Sequence, residues 1–223
     1  TRQQRAELAR QVAQTTAERE AQQRQQWAVN AERIARLWAQ CVPLVPGDPV
    51  TLYLKRRGFG GVWPLPASLR LHRALPCWNG DEKIGVFPAM VAPLVAPDGA
   101  VVALHRTYLS ADGRKADLPS PKKLTATAGP LAGACIPLHE PQRGVLGIAE
   151  GIETALAAWC ASAVPTVAAY SAGNLAAWQW PASVQGLAIF ADNDRAGRES
   201  ADTLRARALL AGIGCDVLTP SDE

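Results

Sequence analysis

The 223 residues, 48% hydrophobic and 19% charged, are enough to bury a core, which excludes a disordered tail or a miniprotein held by disulfides. A formal net charge of +3 does not by itself announce a nucleic-acid partner, so any basic surface has to come from local clustering. Cys41, Cys77, Cys135, Cys160 and Cys215 are scattered, with no CxxC and no nearby histidine pair. They read as reduced core residues of a cytoplasmic protein, with no zinc expected. No apolar run reaches the roughly 18 residues of a membrane helix, so no membrane partner is expected. The opening TRQQRAELAR lacks a signal-peptide core and an initiator Met, as in a piece of a longer protein.

Residues 1–41 hold mostly Ala, Gln, Arg and Glu, with neither Gly nor Pro, and predict a long helix. Its apolar positions Leu8, Val12, Trp27, Ile34 and Trp38 are sparse and reach helical spacing only near the end. The first half should therefore be solvated, as in a connector. From Val42 prolines and glycines cut the chain into short pieces. VTLYLKRR fits one helix ended by Gly58, LRLHRAL a strand, and FPAMVAPLVAPDGAVVALHRTYL two strands joined at Pro97, Asp98 and Gly99. Residues 42–140 are expected to form a small basic α+β subdomain. From 141 onward strands alternate with helices: GVLGIA, TVAAY, LAIFA and CDVLTP as strands, ETALAAWCAS and GRESADTLRARALLAG as helices. That alternation predicts a parallel sheet of about four strands flanked by helices, a Rossmann-like α/β domain over 141–223.

In such a sheet functional groups collect beyond the carboxyl ends of the strands. Those ends are acidic here: Glu150-Gly151 follows the first strand, and Asp192-Asn193-Asp194 the third. If the two strands are neighbours, three carboxylates face one volume, and their repulsion, about 4 kcal/mol per pair at 4 Å and an effective dielectric of 20, calls for a cation. Oxygen donors without Cys or His point to Mg²⁺ or Mn²⁺. Taken singly, each acid is better read as a helix cap, since acidic residues are common at helix N-termini. Glu153 reads as a first-turn helix charge or, less readily, as a further acid of the site. Upstream, His105-Arg106, Arg114-Lys115 and Lys122-Lys123 recur within about twenty residues, and three of the five lysines fall there. Such a strip is either a solvated face or a track for template and triphosphate. Trp63 and Trp78 are the tryptophans open to base contact, whereas Trp159 reads as core.

The combination is more specific than its parts. GIAEGIETALAA, followed some forty residues later by IFADNDRAGRESA, resembles the Toprim domain of the bacterial-type (DnaG-like) primases. AAYSAGNLAAW is similar to that branch's second strand and the turn after it, with Gly173 and Asn174 on the sheet edge. The upstream PAMVAPLVAPDGAVVALHRTYLSADGRKA and PKKLTATAGPLAGACIPL resemble the segment preceding Toprim in primases of phages, plasmids and integrated elements. The resemblance implies a catalytic, Mg²⁺-associated set of Glu150, Asp192 and Asp194, with Arg195 and Arg198 beside them. Arg198 is equally well placed to pair with Asp202 at i,i+4. The same likeness assigns Arg106, Lys115, Lys122 and Lys123 to phosphates and template. The implied function is a DNA primase fragment that makes primers on single-stranded DNA from nucleoside triphosphates for mobile-element replication. A replicative helicase is a further implied partner. A Toprim nuclease and a non-catalytic nucleic-acid-binding module are the alternatives. A topoisomerase fits less well, since Tyr53, Tyr108 and Tyr170 read as strand or helix residues.

Overall fold

The computed structural model describes residues 2–62 and 64–219, so Trp63, a candidate for base contact, lies outside the described residues. Helix α1 (Arg2–Ala39) runs unbroken through the Gly- and Pro-free segment. Among the described side chains Trp27 is half-buried and full burial starts at Asn30, whose amide donates to the Thr127 carbonyl at 2.7 Å. Ile34, Leu37 and Trp38 then pack on one face of an antiparallel sheet. The sheet is ordered β1 (Val42–Pro43), β2 (Arg70–Asn79), β3 (Glu82–Val95), β4 (Val101–Tyr108), β5 (Lys122–Leu124). The β3–β4 turn is the predicted one: Gly99 takes φ +86° and the Asp98 carboxylate accepts from Ala100 N at 3.0 Å.

Between β1 and β2 the chain forms α2 (Pro49–Leu54), capped by Asp48, which accepts from Thr51 N at 2.7 Å. Proline at the first helical position loses no bond there. The expected helix over 50–57 continues as one π-helical turn, Lys55–Phe59, in which Gly58 takes φ +98° and turns the chain out of the helix. Strand β5 had no strong pattern of its own; it forms because β4 offers an open edge opposite Lys122, Lys123 and Leu124.

The second sheet is all parallel, ordered β7 (Thr166–Ala168), β6 (Val145–Ala149), β8 (Gly186–Phe190), β9 (Gly214–Leu218). Helices α3 (Ile152–Ser162), the short α4 (Ala172–Ala177) and α5 (Arg195–Leu210) connect the strands. The two sheets are stitched at consecutive residues: Val95 N donates to Cys135 O at 2.8 Å, and Ile136 N to Ala168 O at 2.7 Å. One apolar core runs through the seam, from Tyr53, Leu54, Met90 and Leu94 to Ile152, Ala155 and Leu156 of α3.

Three expectations change. All five cysteines are free, but only Cys41 and Cys77 are buried; Cys160 sits on the outer side of α3 and is exposed. Tyr170 lies past the end of β7 at φ +70°, in a loop rather than a strand. Trp159 is half-buried and stacks on His139, ring centroids 4.5 Å apart, rather than joining the core. Among the described residues no helix is long and apolar enough to cross a membrane.

Candidate functional site

Because β6 and β8 are neighbours, with Ala149 opposite Phe190, the residues that follow them emerge side by side. The chain leaves β6 toward β7 on one side, and β8 lies on the other, so this edge is the topological switch point of the sheet. Glu150 and Asp192 both line a cavity of about 250 Å³ there. The first turn of α5 returns tightly against the β8 loop: a Cβ on Gly197 would lie 2.5 Å from the Asp192 carbonyl oxygen, so glycine is required for the approach.

The opposite wall of the cavity comes from the antiparallel half. His105 and Lys122 reach it from β4 and β5, and Arg57 from the π-helical turn, while Glu153, Thr154 and Tyr170 close the sides. Lys122 Nζ lies 3.0 Å from Glu153 Oε2, and Tyr53 donates its hydroxyl to Glu153 Oε1 at 2.5 Å. Glu153 is therefore no outward helix charge. Its side chain is 10% exposed and joins α3 to α2 and β5. No local pattern announces this, because both partners are distant in sequence.

The electrostatics separate the acids. Burial, then the negative charges of Asp192 and Asp194, push the Glu150 carboxyl above its ordinary range, opposed by Lys122 and a hydrogen bond from the Ala172 backbone. Burial also acts to raise Glu153, but the Lys122 ammonium and the Tyr53 hydroxyl win and hold it down to about 2. Burial and Lys122 push His105 down to about 4, so its imidazole is neutral at pH 7. Burial, then Lys122 and Arg57, also lower Lys115, which remains exposed nearby.

The remaining predicted site residues are placed differently. Asp194 is exposed and caps α5, accepting from Gly197 N at 2.7 Å; it acts on Glu150 through charge without lining the cavity. Arg195 pairs with Glu199 at 2.7 Å, and Arg198 turns back to Asn193 Oδ1 at 2.7 Å rather than forward to Asp202. Gly173 lies inside α4 with open space beside its Cα. Asn174 is buried, its amide donating to the Ala134 and Ala169 carbonyls. The basic strip does not form one surface, because successive strand residues point to opposite faces. Lys122, opposite Thr107, faces the cavity; Arg106 and its partner Lys123 face the α1 side. Arg106 bonds the Tyr108 hydroxyl at 3.3 Å and the Leu124 carbonyl, and Lys123 bonds the Trp78 carbonyl.

The donors suit a hard divalent cation in type. Among the described residues, no group of three or more acidic, histidine or cysteine side chains gathers as a metal site. The fit is with an ion held by one or two carboxylates and completed by substrate phosphates and water, the usual habit of Mg²⁺.

A parallel sheet with helices between its strands and paired acids at its switch point belongs to the class of doubly wound α/β domains. Within that class residues 145–223 match the Toprim domain family, and they are a Toprim domain. Residues 28–136 match a domain of unknown function (DUF7146). No curated protein matches the chain. Among solved structures it is similar to a DNA primase domain from Pseudomonas aeruginosa, at 18% identity and a TM-score of 0.44, covering 66% of this chain and 49% of that one. It is also similar to the primase fragment of the bacteriophage T7 primase-helicase protein, at 17% identity and 0.46, covering 68% and 58%. A third is the RNA polymerase domain of Mycobacterium tuberculosis primase DnaG, at 20% and 0.40, covering 87% and 64%. The chain thus spans about half the length of the first of these and under two thirds of the other two.

Proposed function

We propose that the chain is the catalytic portion of a mobile-element DNA primase, working in the cytoplasm with Mg²⁺ or Mn²⁺. In this reading 1–41 is a connector, 42–140 a basic subdomain and 141–223 the Toprim domain. The observation that carries it is the meeting of Glu150 and Asp192 from the Toprim sheet with Lys122 and Arg57 from the basic half around one cavity. Nucleotidyl transfer uses acids and cations facing each other across the reacting phosphates, and this cavity brings both to one place.

Bound at Glu150 and Asp192, a divalent ion would lower the pKa of the attacking 3′-hydroxyl and neutralise the departing pyrophosphate. The chain's own residues do the rest. Lys122 and Arg57 grip triphosphate oxygens, with Lys115 outside the cavity to follow the template. Asp194 keeps the α5 turn folded and adds negative potential at Glu150. Arg195 and Arg198, exposed beside the acids, exchange their present partners for phosphates. Single-stranded DNA and nucleoside triphosphates are the partners, with a replicative helicase as a further one.

The test is a primer-synthesis assay on single-stranded DNA with labelled triphosphates and either metal. Template-dependent extension supports the reading. Metal-dependent cleavage of the DNA without triphosphate use would replace it with a Toprim nuclease. DNA binding indifferent to metal, with no product, would leave a binding module.

A further inference from the structure

Lys122 sits on a three-residue edge strand, and its side chain is 40% exposed. A four-carbon stem so placed has many rotamers, and a mobile ammonium makes a poor phosphate contact. Two side chains, Glu153 and Tyr53, remove that freedom. The two oxygens of Glu153 are divided, one to the Tyr53 hydroxyl and the other to Lys122 Nζ. Tyr53 is buried in the seam, so the carboxylate cannot swing to follow the lysine and the lysine must come to it. An ammonium has three donors. One goes to Glu153, and two remain for ligand oxygens.

We propose that Glu153 is a positioning residue, fixed by Tyr53, that sets Lys122 as the triphosphate contact of the cavity and makes triphosphate binding depend on the joined halves. This rests on the primase reading. The rival role is plain adhesion, in which any pair across the seam would serve.

Charge exchange separates the two. In the double variant Glu153→Lys with Lys122→Glu the ion pair is restored, but the cation now hangs from α3. Mg²⁺-dependent ATP binding and thermal melting are measured for wild type, Glu153→Gln, Tyr53→Phe and the exchange variant. Positioning predicts ATP affinity down about tenfold in Glu153→Gln and about threefold in Tyr53→Phe, with KM rising and kcat changing less. In the exchange variant melting recovers toward wild type while ATP affinity does not. Should Glu153→Gln fail to fold, Tyr53→Phe and the exchange variant still decide. Wild-type ATP affinity in a folded Glu153→Gln overturns the positioning role alone; in the exchange variant it also removes Lys122 as a triphosphate contact. A wild-type protein that binds no ATP with Mg²⁺ overturns the primase reading beneath it.

Discussion

Gly197 lies so close to Asp192 that a Cβ would stand 2.5 Å from the Asp192 carbonyl oxygen and 3.1 Å from its backbone nitrogen. The Arg-Ala-Gly-Arg segment after the acidic loop is thus a packing device that holds one cavity carboxylate beside the other. Gly197→Ala should cost about 1–3 kcal/mol through overpacking and displace Asp192. Metal-dependent incorporation should fall further than the melting temperature explains. Full activity with an unchanged melt would show that the loop is not fixed by this contact.

The two cavity glutamates predict opposite responses to acid. Glu153, depressed from the ordinary 4.5 to about 2, contributes stability above pH 4.5 that is lost as pH falls toward 2, on the order of 3 kcal/mol. Glu150 is raised, so its ionised form opposes the metal-free fold above its folded pKa, and that penalty disappears as pH falls below the ordinary carboxylate range. Metal-free denaturant melts from pH 7 to pH 3 should show Glu153→Gln destabilised at pH 7 and nearing wild type in acid. Glu150→Gln should be as stable as wild type or more so at pH 7, with the advantage shrinking in acid. Parallel curves for the two variants would contradict the assignment.

The split of the basic residues predicts a split in salt dependence. Lys115, near Lys122 and Arg57, is placed to touch a strand leaving the cavity, whereas Lys123 is tied to the Trp78 carbonyl on the other face. Lys115→Ala should lower the salt slope of single-stranded DNA binding by about 0.7, the value for one phosphate contact, and Lys123→Ala should leave it unchanged. Each should alter stability by no more than about 0.5 kcal/mol. Fluorescence anisotropy at several salt concentrations checks this, and the reverse pattern would move the template to the α1 face.

Removing residues 1–25 should barely change the melting temperature, because every described side chain from 9 to 25 is exposed and burial starts at the half-buried Trp27. A loss of several degrees would mean that residues 1–25 pack on the body.

Much of this was legible because local chemistry agreed with tertiary need. The alternation of short apolar runs with helices yields β6 to β9 as expected, and the Gly99 turn yields the β3–β4 pair. Glu150 and Asp192 fall together from the sequence as soon as their strands are neighbours, which they are. What escaped depends on partners far away in sequence. Strand β5 is created by the edge of β4, and Glu153 takes its role from Tyr53 and Lys122. The basic strip looked continuous because spacing along the chain does not say which face each residue takes; pairing Lys123 with Arg106 and Lys122 with Thr107 divides it.

Metal-dependent nucleotidyl transfer at the acidic switch-point edge is decided by the rate of labelled triphosphate incorporation by wild type and Asp192→Asn, side by side on single-stranded DNA with Mg²⁺. Asp192 caps no helix and its carboxylate accepts from the Thr154 hydroxyl at 3.5 Å, so the substitution should leave the metal-free melt equal or higher by relieving repulsion with Glu150. Nucleotidyl transfer at this edge requires incorporation by wild type that is abolished in this folded variant. Equal incorporation by the two proteins would contradict it.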